Sequence, residues 1–156
     1  MAKVRPMKTF ETLSDLAACV GQEVGVSDWI TITQEQVNQF AEATGDHQWI
    51  HVDVERAKKG PYGGTIAHGY LTLSLIARFG DELFKVDGVT AKLNYGVNKV
   101  RFPAPVPVGT RVRAGASISN AVETPAGVQV SLNWVIELEN STKPACVAET
   151  VVLLVP

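Results

Sequence analysis

The chain has 156 residues, 46% of them hydrophobic, and a formal net charge of -2. This length can bury one substantial core but is too short for two ordinary domains, so we expect a single domain over residues 1–156. Lysine and arginine form no cluster, which argues against nucleic acid and anionic membranes as partners. No apolar run approaches the roughly 20 residues that cross a bilayer, and no signal-peptide pattern is present, so we expect no membrane segment and a cytoplasmic location.

The first predicted elements lie in residues 1–30, which we expect to form an N-terminal extension packed on the rest of the domain. Ser14 and Asp15 near the start, with Gly21 beyond the end, predict a short helix over residues 13–20. A strand over residues 24–32 is expected to follow.

The clearest predicted helix begins after Thr33. Thr33 and Gln36 form a capping-box pair, and Ile32 and Val37 occupy the hydrophobic-staple positions. Gly45 suits the end of this helix, because glycine readily adopts the left-handed conformation found there.

A loop that carries Asp46 and His51 is expected after this helix. Side chains five residues apart cannot share one face of a continuous helix, so the two converge only if the chain turns at Gly45. Asp53 can then cap a short helical turn, and residues 61–64 are expected to form a loop.

Apolar side chains cover almost every direction around the next predicted helix, over residues 67–84, so we expect it to be buried on most faces. Period-two alternation then predicts strands near residues 91–97, 112–118, 128–138 and 145–155. Helices followed by antiparallel strands indicate an α+β fold in which one long helix is wrapped by a sheet.

Asp46 and His51 are candidates for an acid/base pair. An imidazole titrates near neutrality, and together with an oriented carboxylate it could position and deprotonate water. The alternative is structural: Asp46 caps the loop and His51 is a hydrogen-bonded, partly buried residue. Gln48 and Trp49 either contact a substrate or only pack the loop, and His47 is expected to face solvent.

The segment 64–70 leads into the long predicted helix. The first turn of a helix has unpaired N–H groups and glycine lets a ligand approach closely, so Gly69 could polarise a carbonyl oxygen. Alternatively, Gly69 only relieves crowding where helix meets sheet, and His68 caps or packs. Tyr62 either borders the site or belongs to a flexible loop.

Lys99 and Arg101 lie on a predicted strand that leads into a proline-rich turn. Their side chains could meet the phosphates of a coenzyme, although scattered strand cations are usually solvated. The sequence has no glycine-rich phosphate loop, serine nucleophile elbow or cluster with metal-ligand spacing. Cys19 and Cys146 are far apart, so we expect them to be reduced and structural.

Taken in order, these segments resemble the MaoC-like dehydratase family of (R)-specific enoyl-CoA hydratases. That family has the motif Gly-Asp-x-Asn-Pro-x-His followed by a His-Gly helix start, and the matching residues here are Gly45, Asp46, His51, Ala67, His68 and Gly69. A later strand and turn are also similar, through Val100, Arg101, Phe102, Pro105, Val106 and Gly109. Gln48 and Trp49 replace the usual Asn-Pro, which resembles the NodN-like branch of the family.

The resemblance implies a hot-dog fold, a homodimer, and catalytic roles for Asp46, His51 and the Gly69 N–H. The implied reaction is reversible addition of water to a trans-2-enoyl-CoA, giving an (R)-3-hydroxyacyl-CoA, without a metal or other cofactor. We expect further substrate contacts from Gln48, Trp49, Tyr62, Gly64, His68, Lys99 and Arg101. Two alternatives stay open: an acyl-CoA thioesterase on the same fold, and a non-catalytic acyl-thioester binding domain.

Overall fold

A computed structural model describes residues 6–156, so the first five residues of the predicted extension lie outside the description. Its helices, in chain order α1 to α6, are Leu13–Ala17, Gln34–Thr44, Trp49–Val52, Val54–Lys58, Gly69–Ser74 and Ile76–Leu83. Its strands, β1 to β8, are Lys8–Phe10, Glu23–Val26, Ile30–Thr31, Phe84–Val86, Ala91–Arg101, Arg111–Thr124, Gly127–Leu138 and Cys146–Val155. The α+β class is as predicted. No helix within residues 6–156 combines the length and the hydropathy of a membrane-spanning segment.

The main sheet has the order β2-β6-β7-β8-β5, with β3 also paired to β6. All its neighbouring strands are antiparallel, and β5 forms one edge. A separate parallel pair joins β1 to β4. The N-terminal segment from residue 6 therefore contributes strands to both sheets, in addition to packing on the domain.

The core lies between the inner face of the sheet and helices α5 and α6. Alternate residues of β6 and β7 are buried there, as their period-two pattern predicts: Val112, Ala114, Ala116, Ile118, Val128, Val130, Leu132, Trp134 and Ile136. The indole N–H of Trp134 donates to the Thr150 hydroxyl at 3.0 Å, which satisfies both buried polar groups. Phe79 of α6 is fully buried against this face.

Two predicted elements are interrupted in the structure. The expected strand over residues 24–32 is two short strands, because Ser27 Oγ accepts the Ala114 N–H and the chain leaves the ladder. The expected long helix is divided at Leu75 into α5 and α6, and its predicted last residue, Phe84, begins β4. The Ser74 hydroxyl donates to the Tyr70 carbonyl at 2.7 Å, a contact that bends helices.

The expectation that this helix is buried on most faces is wrong for the single chain. Tyr70 on α5 is 71% exposed. The neighbouring strand β5 is also open, and its Tyr95 is 63% exposed. Leu93 and Val97 are also exposed, although β5 has the alternating pattern that predicts one buried face. The chain thus leaves an apolar face open on an edge strand and on the adjacent helix.

Candidate active site

Asp46 follows a helix end with the predicted chemistry. The capping box of Thr33 and Gln36 is formed at the start of α2, and Gly45 ends the helix in the left-handed conformation, with φ 78°. The chain turns there as the spacing requires. The Asp46 carboxylate is exposed and accepts the Gln48 N–H at 3.4 Å.

His51 lies on a helical turn, α3, and not on the loop that the sequence predicts. The turn has no side-chain cap, which is why no cap signal marks it in the sequence. The His51 ring is 6% exposed, and its Nδ1 lies 2.7 Å from the Ile66 carbonyl oxygen. A carbonyl only accepts hydrogen bonds, so Nδ1 carries the proton and Nε2 of the neutral ring is left as a base.

His68 belongs to the same cluster. It is 3% exposed, and its Nε2–H donates to the backbone carbonyl of Asp46 at 3.0 Å. Its ring stacks on that of His51, with centroids 3.8 Å apart and planes inclined by 24°. Phe40 packs against His68 with ring centroids 4.8 Å apart. His68 thus contacts both members of the pair, and its buried Nδ1 has no hydrogen-bond partner within residues 6–156.

The side chains of Asp46, His51 and His68 converge. One carboxylate oxygen and one ring nitrogen from each histidine all lie within 4.8 Å of one another. Three such donors could hold a cation. A carboxylate beside a neutral imidazole is also the pair of groups that proton transfer to and from water requires.

Burial holds the pKa of His51 below its usual value, because the charged ring is poorly solvated. The hydrogen bond to Ile66 and the Asp46 carboxylate each raise the pKa, whereas His68 lowers it further. Since the lowering prevails, the ring stays neutral at pH 7. His51 can therefore accept a proton at Nε2.

Gly69 is the first residue of α5 and immediately follows His68. None of the described residues accepts a hydrogen bond from its backbone N–H, which leaves this donor free for a ligand oxygen. A Cβ at this position would lie 3.1–3.3 Å from the Phe102 ring. Both alternatives for Gly69 therefore fit the structure: it relieves crowding against Phe102, and it lets a ligand approach closely.

Four other predicted substrate residues are close in sequence to this cluster. Gln48 precedes α3 and is exposed. Trp49 packs beneath the Arg56 guanidinium, 4.4 Å from its ring centroid, and against Gly60, so it has the loop-packing role that the sequence left open. Tyr62 is about half exposed, and Gly64 has open space where a side chain would be. His47 faces solvent as expected, 3.7 Å from Glu42.

Lys99 and Arg101 are exposed on β5 and pair in register with Glu149 and Val147 of β8. The Arg101 guanidinium donates to the Val100 carbonyl at 2.6 Å. No hydrogen bond or ion pair among residues 6–156 joins either cation to Asp46 or His51. Within one chain the structure does not bring them to the acid/base pair.

Two residues that bond to this cluster, Gln34 and Thr65, were not among the predicted site residues. Gln34 donates to the backbone carbonyl of His51 and accepts from the Thr65 hydroxyl. Neither residue belongs to the motif around Asp46. Their contacts join positions 17 and 31 residues apart, which local spacing cannot indicate.

A family model for the MaoC like domain matches residues 15–133. The chain is 58% identical over 147 residues to 3-hydroxyacyl-thioester dehydratase Z of Mycobacterium tuberculosis, covering 94% of this chain and 97% of that protein. It is 42% identical over 146 residues to nodulation protein N of Rhizobium leguminosarum bv. viciae, covering 92% and 91%. The (R)-hydratase from A. caviae involved in PHA biosynthesis has a similar structure, with TM-score 0.70, 26% identity, and coverage of 86% of this chain and 96% of that one. This likeness confirms the predicted hot-dog fold.

Proposed function

Because the chain belongs to the MaoC-like domain family, we propose that it is an (R)-specific enoyl-CoA hydratase. Membership confirms the resemblance predicted from the motif residues, and with it the hydro-lyase class. The observation that carries the finer proposal is the convergence of the Asp46 carboxylate and the neutral His51 ring with His68, whose next residue, Gly69, has a free N–H. Addition of water to an enoyl thioester needs groups that hold and deprotonate the water, and a hydrogen-bond donor to the thioester carbonyl.

In the proposed hydration step, Nε2 of His51 takes a proton from water as its oxygen adds to C3 of the enoyl group. The electron pair of the double bond moves toward the thioester oxygen, where the Gly69 N–H stabilises the developing negative charge. The Asp46 carboxylate orients the water and stabilises the imidazolium that forms. His51 then returns the proton to C2 on the same face, so that one water molecule is added overall.

His68 serves this mechanism by fixing its neighbours. Its stacked ring limits the orientations of His51, and its bond to the Asp46 carbonyl fixes the turn that presents the carboxylate. Every proton transfer uses a protein group, water or substrate. We therefore propose that turnover requires neither a metal nor a redox cofactor, the coenzyme A thioester being the substrate.

We further propose a homodimer. The open apolar face of β5 and α5 lies on an edge strand, where a second copy could add its own strand and cover Tyr70 and Tyr95. Such a partner would also lie near Lys99 and Arg101 on the same edge strand. We propose that these two cations contact the phosphates of coenzyme A. Gln48, Tyr62 and Gly64, which are close in sequence to the residues of the acid/base cluster, are proposed to border the acyl thioester.

The test is an assay of purified protein with a trans-2-enoyl-CoA, following enoyl absorbance and free thiol in parallel. Loss of enoyl absorbance without thiol release is expected. Thiol release from saturated acyl-CoA would identify the thioesterase alternative. Binding of acyl-CoA with neither change would identify the binding-domain alternative.

A further inference from the structure

Gln34, the first residue of α2, bonds to both segments that hold the catalytic histidine. Its amide nitrogen donates to the His51 backbone carbonyl at 2.8 Å and to Asn38 Oδ1 at 2.9 Å. Its amide oxygen accepts from the Thr65 hydroxyl at 2.6 Å. The one amide therefore uses both of its N–H donors and its oxygen.

The orientation of this amide follows from its partners. The His51 carbonyl only accepts hydrogen bonds, so the amide nitrogen must face it, which turns the oxygen toward Thr65. Thr65 is buried, and its hydroxyl donates to that oxygen. A buried hydroxyl without this acceptor would lose a hydrogen bond that water cannot readily replace.

The two segments joined by Gln34 also hold the His51 ring between them. Ile66, next to Thr65, accepts the Nδ1–H of His51, and its own N–H donates to the Ile50 carbonyl at 3.0 Å. The distance from α3 to the Ile66 carbonyl decides whether Nδ1 keeps this bond. That bond in turn fixes Nε2 as the free base.

We propose that Gln34 is a positioning residue for His51, acting through Thr65. Gln34 fixes the separation between α3 and the Thr65–Ile66 segment, and so fixes the tautomer and direction of the imidazole. This role rests on the proposed function only in so far as His51 turns over substrate. The effect on the ring itself is independent of any activity.

The variants are Gln34→Leu, which keeps the volume but removes all three bonds, and Thr65→Val, which removes the hydroxyl. Thr65→Ser restores the hydroxyl and is the conservative comparison. Asn38→Ala is the matched control, since it removes a partner of the same amide that does not lead to His51. Circular dichroism and thermal melting establish that each variant is folded.

Two readouts are needed. Steady-state kinetics with a trans-2-enoyl-CoA should show kcat lowered about tenfold in Gln34→Leu and Thr65→Val, with KM changed less than about twofold. Nuclear magnetic resonance of the imidazoles should show the His51 Nδ1–H exchanging faster with water in both variants. Three histidines in the chain make the assignment simple. Thr65→Ser and Asn38→Ala should match the wild type in both readouts.

Wild-type kcat in Gln34→Leu, or an unchanged His51 Nδ1–H signal in that variant, would overturn the proposal. If Gln34→Leu does not fold, equal behaviour of Thr65→Val and Thr65→Ser would overturn it, and a difference between them would support it. If the wild type has no hydratase activity, the proposed function fails by itself. The exchange of the His51 proton still decides the role of Gln34.

Discussion

The imidazole of His51 stacks on that of His68 at 3.8 Å, so the proposed base has a second histidine as its closest ring neighbour. Both rings are buried. His51 donates to the backbone carbonyl of Ile66, and His68 donates to the backbone carbonyl of Asp46. The pair of rings thereby connects the Asp46 turn to the start of α5. The stacking of His51 on His68 therefore affects both the proposed proton transfer and the geometry of the site.

The first prediction concerns pH. Burial lowers the pKa of His51 from its ordinary 6.5, so the neutral, active ring persists to lower pH. In the hydration direction the acid limb of kcat/KM, where His51 becomes protonated, should have its midpoint below pH 6.5. In His68→Gln the acid limb should move to higher pH, because the charge effect by which His68 lowers the pKa of His51 is removed.

His47→Gln is the control for this profile, because His47 is exposed and is not among the groups that shift the pKa of His51. Its acid limb should coincide with that of the wild type. An acid limb at or above pH 6.5 in the wild type would contradict the assignment of His51 as a buried neutral base.

The second prediction concerns Gly69. In Gly69→Ala the new methyl group lies against the Phe102 ring, so either the ring or the first turn of α5 must shift by a few tenths of an ångström. Because a hydrogen-bond donor to the thioester oxygen tolerates little displacement, kcat should fall about tenfold or more while the protein stays folded.

Adding Phe102→Leu to Gly69→Ala removes the crowding ring and should recover part of the lost turnover. Thermal melting of both variants separates this effect from instability. Full activity in Gly69→Ala would contradict the expectation that crowding against Phe102 displaces the Gly69 N–H from the thioester oxygen.

The third prediction concerns the homodimer. Val97 on β5 is 48% exposed and Val122 on β6 is 47% exposed, so the two are matched in exposure within one chain. Val97→Asp places a charge on the proposed interface, where burial would be costly, whereas Val122→Asp should be tolerated. Sedimentation should show a monomer only for Val97→Asp, and its activity should fall with the loss of the dimer. A Val97→Asp monomer with wild-type turnover would contradict an interface that completes the site.

The sequence predicted the parts of the fold that repeat locally. The alternation in β6 and β7 gave the correct buried face because those strands meet a core within their own chain. The same alternation in β5 predicted a strand correctly but could not show that its apolar side chains remain exposed. The capping box and Gly45 located the end of α2, because those signals act within a few residues.

The site was predicted only in part, for a physical reason. The turn at Gly45 and the spacing to His51 are local, so the sequence alone was enough to predict the approach of Asp46 and His51. The stack of His51 on His68 and the bonds of Gln34 join segments that only folding brings together. The roles of His51 and Asp46 in catalysis, the dimer and the cytoplasmic location stay predictions.

The most direct measurement is hydration of crotonyl-CoA with chiral analysis of the product, made for the wild type, Asp46→Asn and Asp53→Asn. Asp53 is the matched control, because its carboxylate also accepts a backbone N–H, that of Arg56, but it lies outside the cluster. We expect (R)-3-hydroxybutyryl-CoA from the wild type and from Asp53→Asn. In a folded Asp46→Asn, kcat should be lowered about a hundredfold or more. An (S) product, or normal turnover by Asp46→Asn, would contradict the claim that Asp46 and His51 act together on one water molecule.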